Sequence, residues 1–76
     1  MSPIHLRRID PSRNMARFYD LSVQPDLFGA WSLCLEWGRV GQAGTVRRFH
    51  FDTPDEAGRA LEHKRRAKIR RGYTPA

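Results

Sequence analysis

This sequence is short of several things, and each shortage removes a class of protein. Among its 76 residues there is one cysteine, Cys34. No disulfide can form within the chain, and a four-ligand zinc site is implausible. A single thiol fits a reducing compartment. No apolar run approaches the roughly 18 residues that a membrane span needs, so no membrane association is expected. Met1 to Asp10 alternates apolar with charged residues and lacks the continuous apolar stretch of a signal peptide. The chain is read as cytoplasmic, with a natural start at Met1 and no long tails. It has no internal repeat, linker or low-complexity segment. Its length allows one small domain, which buries only about 60% of its unfolded surface and needs close packing to be stable.

The raw material for catalysis is also scarce. His5, His50 and His63 fall on separate elements, without metal-ligand spacing. Asp20, Asp26 and Asp52 show no paired-carboxylate pattern. Cys34 has no neighbouring histidine, and an inert, partly buried thiol is the simpler reading. Gly41-Gln42-Ala43-Gly44 lacks the Lys-Ser/Thr that follows the glycines of a phosphate-binding loop. The expectation is a protein that is not an enzyme and carries no cofactor or metal.

What the chain does have is positive charge and aromatic rings. Fourteen Lys and Arg stand against eight Asp and Glu, a formal charge of +6. That excess is the electrostatic footprint of a polyanion binder, although charge alone also serves solubility.

Ile4–Asp10 reads as a first strand, with Ile4 and Leu6 inward and His5 and Arg7 outward. Asp10-Pro11-Ser12-Arg13-Asn14 is turn chemistry. A second strand spans about Ala16–Gln24, with Tyr19, Leu21 and Val23 on one face. Pro25 to Gly29 is a loop. A third strand, Ala30–Trp37, puts Trp31, Leu33, Leu35 and Trp37 on one face. Gly38 to Gly44 is expected to turn the chain. A fourth strand, about Thr45–Phe51, sends Phe49 and Phe51 to the core. This period-two alternation is that of antiparallel strands with one buried face.

Thr53-Pro54-Asp55-Glu56 is a strong helix start, with a cap, a proline where its missing N–H costs nothing, and two acids at the positive end of the dipole. The helix runs from Pro54 to about Arg70 on a thin stripe of Ala57, Ala60, Leu61 and the stems of Lys64 and Lys68. Gly72 ends it and Tyr73 follows as an apolar contact. The order β-β-β-β-α predicts an α+β domain: a small twisted antiparallel sheet of four strands with one C-terminal helix packed on it.

Lys64 to Arg71 holds six of the fourteen cations. They form either a solvated face that complements the helix C-terminus or a patch that contacts phosphates; Arg7, Arg47 and Arg48 fit with either. Glu36-Trp37-Gly38-Arg39-Val40-Gly41 is open in the same way. Alternation puts Trp37 in line with Leu33 and Leu35 as core. An aromatic beside an arginine can equally stack on a base or sugar and clamp a phosphate. A turn has no need of Arg39.

Trp37-Gly38-Arg39-Val40-Gly41 resembles the motif that names the WGR domain. Arg17-Phe18-Tyr19-Asp20-Leu21 is similar to the family's basic-aromatic-Tyr strand. Phe49 with Phe51, the helix with Ala57 and Lys64, and the closing Arg71-Gly72-Tyr73 also sit where the family has them. The resemblance covers Ile4 to Tyr73 and implies a single WGR-like domain over residues 3–73, in a chain that looks like a stand-alone bacterial member. The family's fold is a small antiparallel sheet with a helix on it. Members inside DNA-damage-responsive poly(ADP-ribose) polymerases contact DNA near a strand end through the motif Trp and Arg; others stand alone in bacteria or lie beside molybdate-type regulators. This chain has no polymerase domain, so ADP-ribosylation does not carry over.

The resemblance implies that Trp37 stacks near a nucleic-acid end, that Arg39 contacts phosphate or a partner surface, and that Gly38 permits close approach. Arg17 stands where the family usually has Lys. The family often has Asn immediately before that residue; here it is Ala16, with Asn14 nearby. Together with Lys64 and Lys68, these residues form the expected nucleic-acid-binding site. The implied function is a monomeric, non-enzymatic module that binds nucleic acid, DNA first, mostly through backbone charge and with preference for ends or nicks. The alternative is a protein-interaction module that docks a partner protein on the Trp-Gly-Arg corner.

Overall fold

The computed structural model describes residues 3–76. Four strands run in a meander: β1 (Ile4–Asp10), β2 (Met15–Pro25), β3 (Trp31–Arg39) and β4 (Thr45–Phe51). A 17-residue helix, α1 (Pro54–Arg70), follows, and then a two-residue strand, β5 (Thr74–Pro75). All pairings are antiparallel and the sheet order is β4-β3-β2-β1-β5. The α+β architecture is the expected one, with five strands rather than four. The fifth exists because Gly72, at φ +96°, reverses the chain towards the free edge of β1. There Thr74 pairs with Arg7 and Pro75 with Leu6. A proline is tolerated at that position because β5 is the sheet's margin.

The two faces of the sheet follow from strand parity. Leu6, Tyr19, Leu21, Val23, Leu33 and Leu35 point to one side and are buried with Ala57 and Leu61 of α1 and with Tyr73. Burying a Leu or Val side chain fully is worth about 1.5–3 kcal/mol, and the rows that α1 covers provide most of that. Thr53 caps the helix as predicted: its hydroxyl accepts from the Glu56 amide at 3.2 Å. At the other end the Gly72 amide donates to Ile69 and the Tyr73 amide to Lys68. This is a Schellman closure, and it drives Tyr73 into the core.

Two expectations need correction. The third strand does not end at Trp37. It continues through Gly38 and Arg39, which pair with Phe18 and Arg17 of β2, and the turn begins only at Val40. Gly38 suits that pairing because the chain folds back tightly: a Cβ there would meet the Gly44 Cα at 3.1 Å. A Cβ on Gly44 would meet the Trp37 carbonyl oxygen at 2.6 Å. Phe49 is not core. It is 36% exposed, because β4 is an edge strand and α1 lies mainly across β2 and β3. Only Phe51 of that pair packs against the buried cluster.

Candidate nucleic-acid interface

The register of β2 and β3 builds the site. Tyr19 lies opposite Trp37, and Arg17 opposite Arg39. Since directly opposed residues share a face, Arg17 and Arg39 emerge on the same side as Trp37, one step beyond the end of the covered core. Arg8 of β1 stands opposite Arg17 and completes a row of three arginines across three strands. Like charges directly opposed in a sheet repel, so nothing in the fold itself rewards this row.

Trp37 is half-buried. Its ring stacks with Tyr19 (centroids 6.0 Å, planes 23° apart), and Tyr19 meets Tyr73 edge-on at 6.3 Å. The indole therefore closes the end of the core. It also forms the wall between two surface hollows. One, about 330 Å³, is lined by Arg17, Phe18, Gly38, Arg39, Lys68 and Tyr73 along with Trp37. The other, about 310 Å³, has Tyr19, Leu35, Phe49 and Ala67 at its apolar base and Arg47, Lys64, Lys68 and Arg71 around it. All six residues expected from the sequence (Arg17, Trp37, Gly38, Arg39, Lys64 and Lys68) thus line one hollow or the other.

Helix geometry divides the basic run. Lys64, Lys68 and Arg71 recur at helical spacing and face the hollows. Arg65 and Arg66 turn the other way, where Glu62 pairs with both, its contact with Arg66 being 3.1 Å. Those bonds to Arg65 and Arg66, the first being the stronger cause, hold the Glu62 carboxyl down to about 2. Around Trp37 the situation is the reverse. Among the described residues, no carboxylate lies within ion-pair distance of Arg17, Arg39, Arg47, Lys64, Lys68 or Arg71.

Lys68 is the centre of this field. Its ammonium sits 4.6 Å from the Tyr19 ring centroid and 5.4 Å from that of Tyr73. Lys64 sits 5.7 Å from the Phe49 centroid. Such cation–π contacts hold a charge in place without neutralising it. Burial pushes the Lys68 amine below its usual range, with Arg71, Lys64 and Arg17 adding to the effect. Burial likewise pushes the Tyr19 phenol up, with Tyr73 contributing.

Arg39 is exposed but not loose. One guanidinium nitrogen donates to the Asn14 carbonyl oxygen at 3.2 Å and another to its side-chain oxygen at 3.3 Å. Asn14 adopts a left-handed backbone (φ 50°) at the β1–β2 turn, a conformation asparagine tolerates better than most residues. Sequence reasoning identified Asn14 as a turn former and as the asparagine nearest Arg17; nothing local to it points to Arg39, 25 positions away. Arg47 was already named with the basic patch; Arg8 was not, though it was legible in principle. Arg8 shares parity with Ile4 and Leu6, and Arg47 with Phe49 and Phe51, which puts both on the helix side.

Elsewhere the remaining histidines are dispersed. His5 approaches Asp20 at 3.0 Å, and His50 approaches Asp26 at 3.4 Å and Ser32 at 3.2 Å. Among the described residues, no three His, Cys, Asp or Glu side chains converge as a metal site would require. No helix among them is long and apolar enough to cross a membrane.

A twisted antiparallel sheet with one helix laid on it, closed at one end by a tryptophan among unpaired cations, defines the class: a small α+β domain with a basic aromatic surface. The chain belongs to the WGR domain family, whose model matches residues 2–76. It is similar to an uncharacterized protein, y4dW, of Sinorhizobium fredii (strain NBRC 101917 / NGR234), at 43% identity over 72 residues. That match takes in 95% of this chain and 35% of the relative; the chain spans about a third of the relative's length. No solved structure matches it.

Proposed function

We propose that this domain is a non-enzymatic nucleic-acid-binding module, with DNA as its first ligand. The observation that carries this reading is the unpaired ring of cations around an aromatic wall. Arg17, Arg39, Arg47, Lys64, Lys68 and Arg71 converge on Trp37 with no carboxylate among them. A surface kept this way for solubility alone would gain from interspersed acids, as the outer helix side does with Glu62. Phosphates supply the missing partner. Lys68, disfavoured as a cation by its burial and its neighbours, is stabilised in its charged form by an anion. Membership of the WGR family is consistent with the reading.

Binding is mainly to the backbone and largely independent of sequence. Trp37 adds a stacking surface at the edge of the site, which favours an unpaired or terminal base or sugar over the interior of a duplex. Arg39, pinned by Asn14, presents its remaining donors to phosphate. Each phosphate neutralised steepens the dependence of log K on log salt by about 0.9 on duplex DNA.

The test is fluorescence anisotropy with blunt, nicked and circular DNA at two salt concentrations. Expected are binding at low salt, a steep fall at high salt, and tighter binding to blunt or nicked than to circular DNA. Absence of binding at low salt would sink the proposal, as would a Trp37→Ala/Arg39→Ala variant that binds as well as wild type. Equal affinity for all three DNAs removes the preference for ends and leaves the module.

A further inference from the structure

The end of the sheet opposite Trp37 carries the two most exposed large apolar side chains among the described residues. Leu27 is 95% and Phe28 92% exposed, side by side at the tip of the β2–β3 loop. Scattered exposed apolar residues need no explanation, but an adjacent pair on a held loop does. The loop is held. The Asp26 carboxylate accepts from the Phe28 amide at 2.9 Å and the Ala30 amide at 3.0 Å. The Asp26 amide donates to the Ala30 carbonyl at 2.9 Å. Gly29 takes φ +79° to close the turn. The tip is thus a preformed apolar knob, and docking it costs little ordering entropy.

The charge around the knob is acidic. Pro25, Trp31 and Phe51 form the last paired row at this end of the sheet, and the segment after Phe51 contributes Asp52, Asp55 and Glu56, all exposed. With Asp26, four of the chain's eight carboxylates stand at the knob end. Between the middle of the sheet and the Trp37 row lies a hollow of about 310 Å³ with the converse character: an aromatic and aliphatic base with Arg47, Lys64, Lys68 and Arg71. One molecule therefore carries both an acid-flanked apolar knob at one end and a cation-rimmed apolar hollow that runs from the middle of the sheet to the Trp37 row.

We propose that two copies of this chain pair head to tail, with Leu27 and Phe28 of one seated in the hollow beside Trp37 of the next. Leu27 and Phe28 stand almost fully exposed on a loop that Asp26 holds, so a molecule does not fill its own hollow. The contact is heterologous, since knob and hollow are different surfaces, so association does not stop at a dimer unless a ring closes. This replaces the expectation of a simple monomer and does not rest on the nucleic-acid reading. A copy whose hollow is filled in this way withholds those cations from a polyanion.

Sedimentation of the whole chain over a wide concentration range, at low and high salt and without nucleic acid, tests the pairing. Wild type is expected to gain mass continuously with concentration at low salt and to lose that gain at high salt. Leu27→Ser/Phe28→Ser removes the knob, and Lys64→Glu/Arg71→Glu reverses the rim. All four residues are exposed, so both variants are expected to fold, which circular dichroism checks. Each alone is expected to be monomeric, with association weakened by about tenfold or more, as for removal of a central anchor. Mixed, they restore one good interface and form a one-to-one pair. A wild type that stays monomeric throughout overturns the proposal. So does a mixture that fails to associate, or a closed dimer that survives loss of the knob.

Discussion

The two ends of the sheet are built from the same strands and differ in almost everything else. At one end β2 and β3 finish in Arg17 and Arg39, with Tyr19 and Trp37 behind them and the helix C-terminus above. At the other they meet in an acid-braced loop that displays Leu27 and Phe28, beneath the acidic N-terminus of the helix. A helix laid antiparallel to β4 contributes to this polarity. Its first turn favours Asp55 and Glu56 and its last turns favour Lys68 and Arg70, because each complements the local end of the dipole. Part of the charge separation is thus ordinary helix chemistry. The remainder, Arg8, Arg17, Arg39 and Arg47 on the sheet, is not explained by helix stability, and it is what the proposed nucleic-acid reading of the Trp37 end rests on.

Both ends depend on the same core. Leu21 is fully buried midway along β2. Leu21→Ala should cost about 2–5 kcal/mol, measured by urea denaturation, against a total of roughly 4–11 kcal/mol for a chain of this length. It should disable both ends together. A smaller change separates them. Trp37→Ala should weaken DNA binding by about 1–3 kcal/mol through lost stacking, whereas Phe28→Ser should leave it unchanged when both are measured in dilute protein. Equal losses would show that the ends are not independent.

The smallest effect concerns the outer side of α1. The Glu62 carboxyl is held at about 2 in the folded chain against an ordinary 4.5. A depressed carboxyl contributes stability that is present above 4.5 and lost as pH falls from there towards 2. Wild type should therefore lose melting temperature more steeply than Glu62→Gln across that window, with the two curves parallel at neutral pH. DNA binding at neutral pH should increase slightly in the variant, since one negative charge is removed from the domain.

Much of this molecule was legible beforehand. Alternation in Tyr19-Leu21-Val23 and Trp31-Leu33-Leu35-Trp37 sets which residues face the helix, because successive side chains in a strand point to opposite sides. Thr53-Pro54-Asp55-Glu56 marked the helix start and Gly72 its end for equally local reasons. What alternation cannot supply is where a strand stops. Gly38 looked like a turn residue, and only the pairing with Phe18 and the close approach of Gly44 make it part of β3. Phe49 has the parity of a core residue, but the helix does not reach far enough across the sheet to cover it.

The residues themselves determined the α+β class, the core face of each strand, the capped helix and the surplus of cations, all of which follow from spacing and composition along the chain. The tertiary structure alone decided that Arg17 stands opposite Arg39, that Asn14 grips Arg39, that Lys64, Lys68 and Arg71 part company with Arg65 and Arg66, and that Trp37 walls two hollows while closing the core. Each of these depends on strand register or on how the helix is rotated against the sheet. Those are set by the packing of residues far apart in the chain, and no local pattern carries them.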